Sequence, residues 1–133
     1  MSIKDVLIIG AGAAGSTAAF HLANAGNQVT LLEMNSKQHI KPCGGGMASA
    51  VQEWFPFSLT PIVEEVIRRV DFTWCLSDHV VAELPGSSPF WIVRRESLDS
   101  FLTDQAINAG AELIKPFKVT NLKKTENYWQ VTS

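Results

Sequence analysis

Cysteine is scarce in this chain. There are two, Cys43 and Cys75, in separate segments. Two such residues build no disulfide framework, and free thiols in a reducing, cytoplasmic compartment are the expectation. Neither sign of charge is in excess: the formal net charge of −2 gives no electrostatic case for a nucleic acid or an anionic membrane as partner. No apolar run approaches the ~20 residues that span a bilayer. Three scattered histidines, without cysteines or carboxylates at ligand spacing, give no metal site. The four tryptophans are dispersed and no basic stripe accompanies them. They are therefore expected in the core rather than under stacked bases. No internal repeat is visible, and the first residues read as strand and turn rather than as a signal peptide.

What is present is a globular balance of 46% apolar and 18% charged residues over 133 positions, enough for one domain with a real core. The informative segment opens the chain: Val6-Leu7-Ile8-Ile9, then Gly10-Ala11-Gly12-Ala13-Ala14-Gly15, then an alanine-rich stretch to Gly26. The four-residue apolar run predicts a central parallel strand, buried on both faces. Gly10 suits a tight turn out of that strand. Gly12 lets the backbone approach a pyrophosphate, and Gly15 lets a helix over 13–25 pack closely on the strand. Gly26 caps that helix. Its first amides carry unpaired N–H groups and a partial positive charge suited to phosphate. A second strand over 28–32 ends at Glu33, where a carboxylate can accept hydrogen bonds from an adenosine ribose. Glu33 also disfavours a 2′-phosphate there, because like charges would meet. A glycine triad alone is weak evidence, but strand, helix and terminal acid all agree with it. The segment is a dinucleotide-binding βαβ start that does not by itself separate FAD from NAD.

Beyond Glu33 a polar loop leads to Lys41-Pro42-Cys43-Gly44-Gly45-Gly46-Met47. Three consecutive glycines are costly in a core helix or strand. With Pro42 stiffening one side, they predict a shaped loop whose backbone passes close to a ligand. Segment 48–54 looks helical. Thr60-Pro61 followed by 62–69 reads as a capped short helix. Segments 70–76 and 79–84 read as a hairpin turning at Ser77-Asp78, and 90–93 as a further strand. Arg94-Arg95-Glu96-Ser97-Leu98-Asp99 leads into a helix with apolar residues at Leu98, Phe101, Leu102, Ala106 and Ile107, capped by Gly110. A strand over 111–114 and a hairpin of 117–123 with 128–132 close the chain.

Three separated motifs now combine: 10–33, the Pro42-Cys43-Gly44-Gly45-Gly46 loop, and Val93-Arg94-Arg95-Glu96-Ser97-Leu98-Asp99 before a helix ending Ala109-Gly110-Ala111. Together they resemble the geranylgeranyl reductase family of flavoproteins, within the wider aromatic-hydroxylase-like FAD superfamily. The resemblance covers essentially the whole chain. The glycine triad is shared by all two-dinucleotide-fold flavoproteins. The R-x-x-[FL]-D motif is shared with hydroxylases and flavin halogenases, whereas the proline–cysteine–glycine loop is more specific to the reductases. The resemblance implies FAD as cofactor. Gly10, Gly12, Ala14 and Gly15 would cradle its pyrophosphate and Glu33 its adenosine ribose. Cys43, Gly44 and Gly46 would lie along the cofactor, Arg95 near its ribose or phosphates, and Val119 where a strand passes the adenine. The activity implied is reduction of isolated carbon–carbon double bonds in a prenyl chain, with electrons from NAD(P)H or a ferredoxin-like donor. A peripheral membrane contact would go with such a substrate. No catalytic residue is assigned.

The expected fold class is thus α/β: a partial Rossmann-like FAD/NAD(P)-binding βαβ fold with an inserted small β segment. The expected organisation of 1–133 is a βαβ unit over 4–33, the cysteine–glycine loop over 41–47, inserted helix and β segments over 59–93, and a helix with β return over 96–133. Family members run to about three times this length, counting domains of ~100–150 residues. The later Gly-Asp motif and the substrate-covering sheet are absent, so the expectation is an N-terminal part that is inactive alone. A flavin monooxygenase or halogenase of the same superfamily, or a nucleotide-binding module without catalysis, are the competing readings.

Overall fold

The computed structural model describes residues 3–37 and 41–133. The chain divides into two compact units, one of residues 1–40 with 98–133 and one of residues 41–97.

The first unit is built on three parallel strands in the order β1-β2-β8, with β1 Val6–Ile9, β2 Val29–Leu32 and β8 Glu112–Ile114. Val6 stands opposite Val29 and Ile9 opposite Leu32, while Leu31 faces Leu113. Helix α1, Ala13–Asn24, crosses from β1 to β2, and α2, Arg95–Asn108, precedes β8. The buried residues of α1 are Ser16, Ala19, Phe20 and Ala23, spaced so that they share one helix face. Asp99, Leu102 and Ala106 do the same on α2. Every residue of β2 is buried, because the strand is flanked on both edges. The strand buried throughout is therefore β2 and not β1. β1 alternates, and its Leu7 and Ile9 are 40% and 53% exposed. Leu7 and Ile9 lie on one face of the strand and Val6 and Ile8 on the other, so one face of β1 is the less covered; among the described residues β1 pairs only with β2. A hairpin of β9 Asn121–Lys124 and β10 Trp129–Thr132 completes this unit.

The second unit centres on β7, Phe90–Val93, which pairs antiparallel with β3, Gly46–Ala48, on one side and β4, Val63–Ile67, on the other. Trp91 and Val93 on β7 are buried, as are Phe55, Leu59 and Ile62. Gln52 holds the intervening loop. Its side-chain amide donates to the Phe57 carbonyl at 2.7 Å, and its oxygen accepts the Leu59 N–H at 2.8 Å.

Several local expectations change here. Segment 62–69 is not a helix. Pro61 starts only one 3-10 turn, Thr60–Ile62, and the β-branched Val63, Val66 and Ile67 then enter a strand against β7. Segment 49–54 is helical as expected, in the 3-10 form. The next hairpin, β5 Arg69–Trp74 with β6 Ser77–Glu83, turns at Cys75-Leu76 instead of Ser77-Asp78. Both turn residues have positive φ, as a two-residue turn matched to strand twist requires. Only Trp91 of the four tryptophans is buried; Trp54, Trp74 and Trp129 are exposed.

One ion pair ties the start of the chain to β8. Lys4 Nζ lies 3.0 Å from Glu112 Oε2, which also accepts the Thr30 hydroxyl at 3.3 Å. The Lys4 hydrogen bond first, and its charge second, hold the Glu112 carboxyl below the usual glutamate range. A depressed carboxyl contributes stability above the unfolded-state value and loses it as pH falls through the folded one. An NMR titration should therefore place the Glu112 midpoint below that of an unpaired glutamate, and Lys4→Met should raise it. An unchanged midpoint in the variant would show that the pair does not form in solution.

Candidate functional site

The site is assembled from the turn between β1 and α1 together with the end of β2. Gly10 continues the pairing out of β1 by donating its N–H to the Leu32 carbonyl at 2.7 Å. Its φ of +99° is one that side chains rarely adopt, and nothing lies near where its Cβ would be. Gly10 is thus required by conformation. Gly15 is required by space: a Cβ there would run into the Gly10 carbonyl oxygen. The first turn of α1 lies that close to the strand end.

Gly12 is the N-cap of α1 in extended conformation. No side chain caps the helix, and no acidic residue stands in its first turn. The amide donors at this end are therefore covered by no side-chain cap, and the first turn brings no acid of its own. Ala14, exposed in the first turn, adds only a methyl group.

Glu33 sits immediately after β2 and is half-buried. Its Oε2 accepts the Ala11 N–H at 3.0 Å. Its Oε1 accepts both the backbone N–H and the side-chain amide of Asn35, at 2.9 and 3.0 Å. The backbone is pinned as well: Glu33 donates to the Ile114 carbonyl at 3.0 Å and accepts from Phe117 N–H at 2.7 Å. The chain from β8 toward Val119 thereby runs past Glu33. Val119 itself is half-buried and lies before β9, not within a strand.

Two hydroxyls lie under the turn. Ser16, fully buried, places Oγ 3.2 Å from the Ala11 carbonyl oxygen and 2.8 Å from Thr103 Oγ1. Asn35, Ser16 and Thr103 escaped the reading of the sequence. A serine on a buried helix stripe and an asparagine two residues beyond the acid are the only local signals they carry.

Gly10, Gly12, Ala14, Gly15, Glu33 and Val119 all belong to the first unit, and the turn brings the first five together. Cys43, Gly44, Gly46 and Arg95 belong to the second. There the glycine loop has a packing role of its own. Gly45 accepts the Val93 N–H at 2.9 Å, and its Cβ would strike the Val93 carbonyl oxygen. A Cβ on Gly46 would fall 2.9 Å from the Phe90 ring, and Gly46 opens β3, so this glycine does stand in a strand. Gly44 is exposed with nothing near where its Cβ would be, and Cys43 is exposed, in no disulfide, its Sγ accepting the Gly45 N–H at 3.4 Å. Arg95 is half-buried and opens α2, while its neighbour Arg94 pairs with Glu64 at 2.7 Å. Among the described residues no cluster of histidine, cysteine and carboxylate could hold a metal. No helix among them is long and apolar enough to cross a membrane.

This geometry defines a dinucleotide-binding βαβ unit of the Rossmann type. Residues 5–75 match the FAD dependent oxidoreductase family, and the chain belongs to it. Digeranylgeranylglycerophospholipid reductase 1 of Methanothermobacter thermautotrophicus is 30% identical over 140 residues, an alignment covering 97% of this chain and 34% of that protein. Protein FixC of Escherichia coli is 32% identical over 130 residues, covering 90% of this chain and 30% of FixC. Among solved structures, a geranylgeranyl bacteriochlorophyll reductase-like protein from Thermoplasma acidophilum superposes with a TM-score of 0.84 at 20% identity, covering 95% of this chain and 33% of that one. Halogenase PltM in complex with phloroglucinol and FAD gives 0.75 at 19% identity, covering 97% and 31%. The chain thus spans about a third of the length of these relatives. The cofactor of the family is FAD, and the uncapped helix end beside a held carboxylate suits its pyrophosphate and adenosine ribose.

Gly15→Ala should destabilise the first unit by about 1–3 kcal/mol, because the added methyl meets backbone and not a movable side chain. Urea denaturation measures this. Wild-type stability in the variant would mean that the helix does not approach the Gly10 carbonyl as described.

Proposed function

We propose that this chain binds the ADP half of FAD in a flavin-dependent reductase of prenyl chains. One observation carries the binding half of this reading. The Glu33 carboxylate is held 3.0 Å from the Ala11 amide, beside a helix end with neither side-chain cap nor first-turn acid. The helix amides of α1 would take the pyrophosphate. Glu33 would accept the ribose hydroxyls, oriented by Asn35. Cys43, Gly44, Gly46 and Arg95 are proposed to lie along the cofactor, and Val119 beside the adenine.

Bound FAD would supply two-electron reducing chemistry; the residues of this chain bind and orient it. The prenyl substrate is proposed from the resemblance of the cysteine–glycine loop and from relatives named as geranylgeranyl-lipid reductases. A nicotinamide or ferredoxin-like protein is the proposed electron donor, and a membrane surface the proposed place of contact with substrate. The spans that FixC and the reductases have beyond this chain's match are proposed to be needed for turnover.

Calorimetry on the purified chain tests the binding half. ADP and FAD should bind, and adenosine 2′,5′-bisphosphate should bind less well than ADP because its 2′-phosphate faces Glu33. Gly12→Val should weaken ADP by about tenfold or more, a loss of 1.4 kcal/mol or greater. Equal affinity in the variant would misplace the site. The substrate half is tested by supplying FAD, a reductant and a geranylgeranyl lipid, then looking for a mass gain of H2 per reduced bond. Multiple turnovers by the 133-residue chain alone would refute the need for further residues.

A further inference from the structure

The Ala11–Gly12 peptide is fixed by groups that the binding reading does not use. A trans peptide points its carbonyl and its N–H in opposite directions, so whatever holds the Ala11 oxygen also aims the Gly12 N–H. The Ala11 oxygen faces two hydroxyls, Ser16 Oγ at 3.2 Å and Thr103 Oγ1 at 3.4 Å. The hydroxyls are 2.8 Å from each other, and Thr103 Oγ1 lies 2.7 Å from the Asp99 carbonyl.

Two hydroxyl protons serve these contacts. The Asp99 carbonyl has two lone pairs and accepts the Thr103 hydroxyl at 2.7 Å alongside the helical amide four residues on. The Thr103 proton goes to the Asp99 carbonyl, its shortest contact, so Ser16 is the donor to its neighbours, its proton shared between the Ala11 oxygen and Thr103 Oγ1. Ser16 is fully buried, so no water replaces a lost partner at low cost.

The neighbouring peptide is fixed from the other side. Glu33 holds the Ala11 N–H, and the Gly10 oxygen lies against Gly15. Ala11 is thus held at both its polar atoms, by the acid that follows β2 and by a hydroxyl pair that reaches to α2.

We infer that Ser16 and Thr103 are positioning residues for pyrophosphate binding: the Ser16 hydroxyl, anchored on Thr103, turns the Ala11 carbonyl inward and so presents the Gly12 N–H outward to the phosphates. This rests on the proposed ADP site. It makes α2, eighty-seven residues along the chain from Ser16 at Thr103, part of the phosphate-binding apparatus without touching the ligand.

The test separates phosphate from nucleoside. ADP and adenosine affinities are measured for wild type, Ser16→Ala, Thr103→Val and Thr103→Ser, with folding followed by circular dichroism and the Gly12 amide by NMR. Ser16→Ala should weaken ADP by about tenfold, as for a buried acceptor left without its donor. Thr103→Val should weaken it less, by about threefold, since Ser16 keeps its proton but loses the partner that orients it. Thr103→Ser should restore wild-type affinity. Adenosine, which lacks the pyrophosphate, should bind all four alike, and the ADP-induced shift of the Gly12 amide should shrink in the two weakened proteins. If wild type binds ADP and both deletions bind it equally well, the inference is overturned. Equal losses for ADP and adenosine overturn it too, since they mark a general effect on the fold. Wild type binding no ADP overturns the cofactor reading itself and this inference with it.

Discussion

The close approach of α1 to the end of β1 is the constraint on which the first unit depends. The helix can begin where it does only because Gly15 leaves room for the Gly10 carbonyl oxygen. That approach fixes the direction in which the first helical amides leave the strand. It also brings Ser16 beneath the turn, at hydrogen-bond distance from the Ala11 carbonyl. A methyl group at position 15 would oppose all of this at once, which is why the smallest residue stands at the most crowded point of the site.

Electrostatics then follow geometry. An uncapped helix end carries partial positive charge, and the first turn of α1 contains no acid to cancel it. The Glu33 carboxylate beside the turn is engaged through both oxygens with N–H donors from Ala11 and Asn35. The acid therefore has a set position beside the turn without a place in the helix. This separation matches a ligand with phosphates at one end and hydroxyls at the other.

The second unit obeys a different constraint, the central position of β7. Gly45 and Gly46 let the loop after Pro42 lie against Val93 and Phe90 at backbone distance, so part of the glycine run serves sheet packing. The adjoining β5–β6 hairpin is held by its own cross-strand pairs. Phe72 stands opposite Val80; within β5 itself Arg69 reaches the Asp71 carboxylate at 2.9 Å, which raises the guanidinium pKa further. Phe72, Trp74, Leu76 and Val80 remain exposed there, as do Leu7 and Ile9 on β1.

Local pattern alone determined the βαβ unit. A four-residue apolar run, glycines at spacings set by a turn and a helix contact, and an acid at the next strand's end each act within about one or two elements, so they could be read before any folding. The strand at 90–93 and the helix leading from Arg95 were legible for the same reason. Tertiary structure decided the rest. Segment 62–69 has helical endpoints in Thr60 and Pro61, but β7 offers it a ladder of hydrogen bonds that no local signal announces. The burial of β2 in place of β1 depends on which strand β8 joins. Ser16 and Thr103 meet only because α2 passes under the glycine turn, and Asn35 matters only once Glu33 has been placed. Pattern named the residues that could face a ligand. The residues that aim them were set by contacts between segments far apart in the chain, which carry no periodicity to read.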